Sequence, residues 1–232
     1  MPSAEQAYED LERDRSNRET EIRLIERYYN SADSDDERAM LARSLILLTY
    51  SHLEGFTKFA LLTYAAVVNG MGLPCNQASL PLVAATLNRA LIALRDVNQK
   101  DPLFRDVAAD HDVNLQARHL RFIATYDEVM ARAVEIPDSA VDTGSNLNAK
   151  MLKRVLFQMG LNYPAIAEHQ STLNQLLGER NAIAHGDIIK RPRPEAVQNY
   201  LDMAFRVMLF IQQEVFTALS SGAFYRRASN DS

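Results

Sequence analysis

The chain has 232 residues, of which 47% are hydrophobic, with only 8 Gly and 8 Pro. That is enough apolar material to bury a core, which argues against global disorder, and the shortage of turn formers argues against sandwiches and barrels and favours helices. The formal net charge of −5 speaks against a nucleic-acid binder only until its distribution is read: residues 1–37 carry 5 basic and 12 acidic side chains, whereas residues 146–227 carry 10 and 6. A mild positive field in the C-terminal half is compatible with phosphate contacts and equally with ordinary solvated surface.

In chain order, the N-terminus MPSAEQAYEDLERD is acidic and has no apolar core of the kind a secretory signal needs. Residues 4–30 place Leu11, Ile22, Ile25 and Tyr29 near one face with Glu and Arg elsewhere, as in a charged surface helix. Ser34-Asp35-Asp36-Glu37 reads as a capping box that opens a second helix, expected to run to about Val68 and to end at Asn69-Gly70. This helix is apolar almost all round, with Leu41, Leu45, Leu48, Phe56, Phe59 and Thr63 on one stripe and Leu47 and Leu61 opposite. It therefore belongs at the centre of a bundle, or between the bundle and a partner chain. Arg43, His52, Glu54 and Lys58 interrupt it, so it is not a membrane span.

Residues 71–81 hold two prolines and a lone Cys75, which cannot form an internal disulfide and fits a reducing cytoplasm. Residues 82–135 read as two or three further helices, broken near Asp101-Pro102 and Asp110–Asp112, and Pro137–Ser145 as a polar connection. A helix from about Asn148 to Met159 stops at Gly160, another runs from near Pro164 to His185-Gly186, and a last one from Glu195 to Leu219 buries Tyr200, Phe205, Leu209 and Phe216. The expected organisation is one helical domain over 1–232, with a charged helix at 1–33, a helical insertion at 82–135, and motif and C-terminal helices at 146–220.

The most informative stretch is Leu173–Gly186, LNQLLGERNAIAHG. At about 100° per residue, Leu173, Leu176, Leu177, Ile183 and Ala184 share one stripe, and Arg180 falls in its middle. A lone arginine there is costly unless its guanidinium is paired or meets an anion. Asn174, Gly178, Asn181 and His185 form an adjoining polar strip, with Asn181 and His185 one turn apart. Gly178 costs about 1 kcal/mol relative to Ala in a helix interior; it makes room for a ligand or second helix, or marks a kink. His185 precedes Gly186, a natural left-handed residue after a helix end. The macrodipole there favours a protonated imidazole, suited to acid–base work or to capping carbonyls.

Arg180-Asn181-Ala182-Ile183-Ala184-His185 resembles the Arg-x4–6-His signature of the HEPN superfamily (higher eukaryotes and prokaryotes nucleotide-binding), with the usual polar residue directly after the Arg. Leu45–Lys58, LILLTYSHLEGFTK, and Ser145–Gly160, SNLNAKMLKRVLFQMG, resemble the nuclease branch found in bacterial toxin–antitoxin and defence loci. All three segments occur in the matching order and spacing, which extends the resemblance over most of residues 38–220. It implies an all-α helical bundle, dimerised so that two motifs face each other, and metal-independent RNA cleavage in which a 2′-hydroxyl attacks the adjacent phosphate. It further implies that His185 moves protons, that Arg180 stabilises charge on the phosphorane, and that Asn181 orients the pair or touches the phosphate. No cofactor is implied; the partners implied are an RNA substrate, a second copy and an antitoxin protein. Toxins silenced by nucleotide transfer carry a Tyr two residues after the His, where this chain has Asp187. Some members of the superfamily have lost catalysis and bind a partner protein or nucleotide instead.

Among the other candidates, Glu54 could hold Arg180 or His185 across the bundle, or pair with Lys58 one turn on. His52 reads as a satisfied core histidine. Lys190, Arg191 and Arg193 follow the motif closely enough to track an RNA backbone, or form a solvated loop. Tyr28, Tyr29, Phe104, Tyr163 and Tyr225 could stack bases, or serve as core. His111, His119 and His169 show no metal-ligand spacing, and there is no phosphate-binding glycine loop.

Overall fold

The computed structural model describes residues 3–107, 110–144, 146–186 and 191–226, and among them it is all-α, as expected. Three long helices make the frame: α1 (Ala4–Asn30), α2 (Asp35–Gly70) and α9 (Pro194–Ser220). Each packs against the other two, and α8 (Gln170–Ala184) lies in the seam between α2 and α9. Between α2 and α8 come α3 (Leu80–Thr86), α4 (Asn88–Ala93), α5 (His111–Ala124), α6 (Tyr126–Ala131) and α7 (Ala149–Gln158), with 3-10 turns at Pro102–Phe104, Asp138–Val141 and Pro164–His169. The 82–135 region is thus four short helices rather than two or three, and the first starts earlier, because Pro81 occupies the opening turn of α3 instead of breaking the chain.

Local chemistry accounts for the helix ends. Ser34 Oγ accepts the Glu37 N–H at 3.2 Å, while the Glu37 carboxylate reaches back one residue further, to the Asp33 N–H at 3.0 Å. Asn148 caps α7 by accepting from the Met151 N–H. Gly160 and Gly186 close α7 and α8 with φ of 69° and 96°, the left-handed conformation that a side chain would strain. At the end of α2 the positive φ falls on Gly72 instead of Gly70. Asn69 has another task there: its side chain exchanges two hydrogen bonds with the Ile136 backbone, tying α2 to the end of the insertion.

The core follows α2. Leu45, Ile46, Leu53, Phe56, Ala60, Leu61 and Val68 are fully buried, together with Tyr50 and Tyr64, whereas Phe59 is exposed and Leu48 and Thr63 only half-buried. The buried arc of α2 is therefore rotated from the expected stripe toward α1, α8 and α9, which pack around it. On α9 the same rotation buries Tyr200, Leu201, Ala204, Met208, Ile211 and Val215 but leaves Leu209 exposed. Phe205 and Phe216 sit at the α1 seam: Arg23 lies 4.6 Å over the Phe205 ring, and Phe216 meets Tyr8 at 4.9 Å.

Polar clasps fix how α1 meets its neighbours. Arg15 Nε donates to the fully buried Gln212 of α9 at 2.7 Å, and Gln212 donates to Glu12, which also takes two bonds from Arg15. On the α2 side, His52 Nε2 lies 3.1 Å from Glu21, and Arg18 passes over Gly55, where a Cβ would stand only 2.7 Å from the guanidinium. Burial holds the His52 imidazole below its ordinary range, against the pull of Glu21. This histidine thus serves the α1–α2 seam, and it departs from its reading as a satisfied core residue: the ring is half-buried and its Nε2 makes no well-aligned hydrogen bond among the described residues.

The insertion has a small core of its own, Ala90, Ala93, Leu103, Phe104 and Val129. Its keystone is Arg118 of α5, 8% exposed, which donates to the carbonyls of Ala93, Asp96, Val97 and Gln99 at 2.8–3.1 Å. Truncating it removes the donor from four carbonyls at once, of which, among the described residues, Asp96 alone keeps another, the Gln99 N–H at 3.0 Å, so Arg118→Ala should cost about 3 kcal/mol. Hydrogen exchange should then quicken across residues 93–104 while α1, α2 and α9 keep their protection.

Candidate active site on the motif helix

The sequence places a charge on the apolar stripe of α8, and the facing helix supplies what that charge needs. Leu173 and Leu176 are buried, and Leu177 and Ile183 pack partly buried against the same core. Arg180, between them on the wheel, lays its guanidinium 4.8 Å over the ring of Tyr50 on α2. One Nη donates to Asn181 Oδ1 at 2.8 Å. A cation over an aromatic face is stabilised by about 0.5–2 kcal/mol, more as water is excluded. Among the described residues no carboxylate pairs with Arg180, so most of its fork of N–H donors remains available to an anion.

Tyr50 was not singled out in the sequence, although it stands within Leu45–Lys58. The available signal was indirect: an arginine on an apolar stripe requires an aromatic or acceptor opposite, and Tyr50 is the one aromatic in that segment before Phe56. Its hydroxyl is shut away from water and makes no well-aligned hydrogen bond among the described residues. Burial pushes its pKa up to about 12, helped by the Glu54 carboxylate and opposed by the Leu147 backbone and the Arg180 charge.

Glu54 binds neither Arg180 nor Lys58. Its Oε1 accepts the Thr143 hydroxyl at 2.7 Å, which ties α2 to the chain leading into α7. The carboxylate therefore acts on the motif only through its field at Tyr50, one turn away.

His185 stands at the exposed end of α8. Its backbone N–H donates to the Asn181 carbonyl at 2.9 Å, and Gly186 N–H to that of Ile183 at 3.1 Å. The imidazole itself makes no hydrogen bond among the described residues, so it does not cap carbonyls. Five residues separate it from Arg180, about 7.5 Å of rise and about 140° around the helix. Arg180 therefore leaves α8 toward α2 while His185 faces solvent, with Asn181 bonded to the one and a turn from the other.

The neighbouring polar strip is divided. Asn174 is structural, accepting the Ala149 N–H at 3.1 Å to join α8 to the start of α7. Gly178 opens onto a cleft shared with Gln175, Glu179, Arg191, Arg193 and Tyr200, and a Cβ added there would meet nothing within 4 Å. Of the three basic residues expected to track RNA, Lys190 lies outside the described residues, as does Asp187. Arg191 pairs with Asp36 at 2.6 Å across an exposed surface, a pairing worth about 0–1 kcal/mol that an incoming phosphate can displace. Arg193 borders the cleft from the start of α9. Of the aromatics considered for stacking, Tyr29 and Phe104 are buried, and Tyr163 is edge-on to Phe157. Among the described residues no cluster of His, Cys, Asp and Glu could hold a metal ion, and no helix is long and apolar enough to cross a membrane.

Two outcomes follow from this geometry. Gly178→Ala should raise stability by about 1 kcal/mol, since the helix gains propensity and the methyl meets no obstacle; a thermal melt checks it. Tyr50 ionises near 10 when unfolded and near 12 when folded, so its contribution is intact below pH 10 and is lost as pH rises from 10 through about 12. Alkaline unfolding followed by tyrosinate absorbance should show a downward slope in that window that Tyr50→Phe reduces.

The comparisons agree with this geometry at the level of family. No curated protein and no solved structure matches the chain. The family model described as RiboL-PSP-HEPN matches residues 13–216, from α1 to the last turns of α9 and across the whole motif helix. With nearly its full length so matched, the chain belongs to the RiboL-PSP-HEPN family of HEPN domains.

Proposed function

We propose that this protein is a metal-independent endoribonuclease, a cytoplasmic toxin or defence effector whose active site forms where two copies bring their Arg180-x4-His185 motifs together. The observation that supports this reading best is the state of Arg180: a half-buried guanidinium held by an aromatic face and an amide, with no carboxylate paired to it among the described residues. Membership of a HEPN family makes an RNA-related module the natural frame.

In this reaction the 2′-oxygen forms a bond to phosphorus while the bond to the 5′-oxygen breaks, leaving a 2′,3′-cyclic phosphate and a free 5′-hydroxyl. A neutral His185 takes the 2′-hydroxyl proton, and a protonated His185 gives one to the departing 5′-oxygen. Arg180 holds the negative charge that grows on the non-bridging oxygens. Arg180 and His185 leave α8 on different sides, so one motif does not converge on a phosphate by itself, and a two-fold partner supplies the missing half. Asn181 keeps Arg180 oriented. An antitoxin protein would bind over this paired surface.

The rival reading is a non-catalytic module that binds a partner protein or nucleotide. The turn of Arg180 toward Tyr50 in the protomer, away from His185, is what favours it. Cleavage of total RNA separates the two. The parent should cut in EDTA, leave cyclic phosphate ends and run as a dimer in light scattering. His185→Ala and Arg180→Ala should each lower cleavage by at least about 100-fold while staying folded. Arg180→Lys should recover little, because an ammonium lacks the planar fork, and Asn181→Ala should lose less than either. Full cleavage by folded His185→Ala would overturn the catalytic assignment, a requirement for added metal would overturn the metal-independent mechanism, and no cleavage by the folded parent would leave the binding module.

A further inference from the structure

The insertion carries a cation cluster that the motif does not use. Residues 82–135 hold seven basic and eight acidic side chains, so the segment as a whole is slightly acidic. Yet four of those seven, Arg89, Lys100, Arg105 and Arg118, line one cleft with Asp101, Pro102 and Phe104. The one carboxylate among the described lining residues is already engaged: Asp101 Oδ1 accepts the Leu103 N–H at 2.9 Å, and Oδ2 lies 3.8 Å from Arg89 Nε.

The cations are only weakly offset: Arg89 has a long pair with Asp101, and the Asp96 carboxylate feels the Arg118 charge. Arg118 is nine-tenths buried, and its Nη donors go to four backbone carbonyls, not to a carboxylate. Its Nε is shut from water with no hydrogen-bond partner. A charge so placed meets little solvent to screen it, and it acts on the cleft and on the Asp96 carboxylate alike. Arg89 is steered across the mouth by the bond from its Nε to the Lys100 carbonyl at 2.9 Å, which leaves its outer nitrogens open. The exposed Lys100 and Arg105 side chains pair with no carboxylate among the described residues.

We infer that this cleft is a second phosphate site, one that holds the backbone of a single RNA strand at the insertion while the α8 motif acts elsewhere on it. The inference rests on RNA being the substrate. An open cleft with exposed cations at its rim suits phosphates passing across it, not an enclosed nucleotide. Phe104 lies behind the Arg118 guanidinium, 5.6 Å from it, and is buried, so no aromatic platform is offered to a base. Binding here is therefore indifferent to sequence and sensitive to salt.

The test measures binding apart from cleavage. Full-length protein carrying His185→Ala is titrated with a fluorescent single-stranded RNA of about 20 nucleotides, long enough to cross several phosphate contacts. Into that background go Lys100→Glu with Arg105→Glu, and as a control of equal charge change Arg13→Glu with Arg27→Glu on α1. The cleft pair should weaken binding at least tenfold and flatten the slope of log affinity against log salt by about 1.4, two phosphates at about 0.7 each. The control should lose less than threefold. Should the reversals unfold the protein, Lys100→Gln with Arg105→Gln gives the same comparison at smaller amplitude.

Equal losses in the two pairs, or none in the cleft pair, overturn the site. So does AMP or inorganic phosphate binding that the cleft pair abolishes while RNA binding is unmoved, for that marks a free-phosphate site. If the background protein binds no RNA at all, the inference falls together with the RNA reading. If it binds RNA and only the reversals are without effect, the cleft alone is wrong and cleavage by the parent remains to judge the motif.

Discussion

One contact organises the candidate site: the Arg180 guanidinium over the ring of Tyr50. A full charge on the core-facing stripe of a helix is tolerated only if something opposite is better than hydrocarbon. Tyr50 supplies an electron-rich face, and Asn181 supplies an oxygen one residue along. Neither cancels the charge, as a carboxylate would. The consequence is a cation that is fixed in direction, partly desolvated and, among the described residues, not paired with a carboxylate, which are the conditions under which a guanidinium discriminates strongly for a phosphate. Glu54 respects this arrangement by turning to Thr143, so that its charge is felt at the Tyr50 hydroxyl and not spent on Arg180.

The position of that contact depends on how α2 is buried. The helix is surrounded by α1, α8 and α9, and the seams are set by buried polar groups as well as by apolar packing. Gln212 is bound to both Arg15 and Glu12, and Gly55 leaves the space through which Arg18 crosses. Apolar burial supplies most of the stability and is insensitive to small rotations, while these directional bonds accept only one register. With α2 fixed in this way, Tyr50 faces α8 and the charge of Arg180 has a place to rest.

The insertion repeats the theme with different chemistry. Arg118 is also a buried guanidinium with no carboxylate bonded to it among the described residues, but its Nη groups donate to four carbonyls of the end of α4 and the turn after it. Its role is to fold a loop, and the field it leaves behind is an incidental product of folding that loop with a cation. Two guanidinium groups that no carboxylate hydrogen-bonds among the described residues, in a chain of net charge −5, place positive potential locally, where the overall sign would predict none.

Much of this was legible in the residues alone. The helical class, the cap at Ser34, the left-handed Gly160 and Gly186, and the anomaly of Arg180 within an apolar stripe all follow from local pattern, because capping, backbone strain and amphipathic period act within a few residues. What the pattern left open was decided across the bundle. A helix apolar on nearly every side, such as α2, carries no signal for which arc faces which neighbour, so Phe59 and Leu209 emerged exposed and Tyr50 passed unnoticed. Pro81 looked like a loop residue because a proline serves loop and first turn alike. The partners of Glu54, Arg118 and Arg180 lie 89 residues, 19–25 residues and 130 residues away along the chain. Local sequence names the residue that needs a partner, and only tertiary packing, which brings distant segments within bonding distance, chooses which partner it receives.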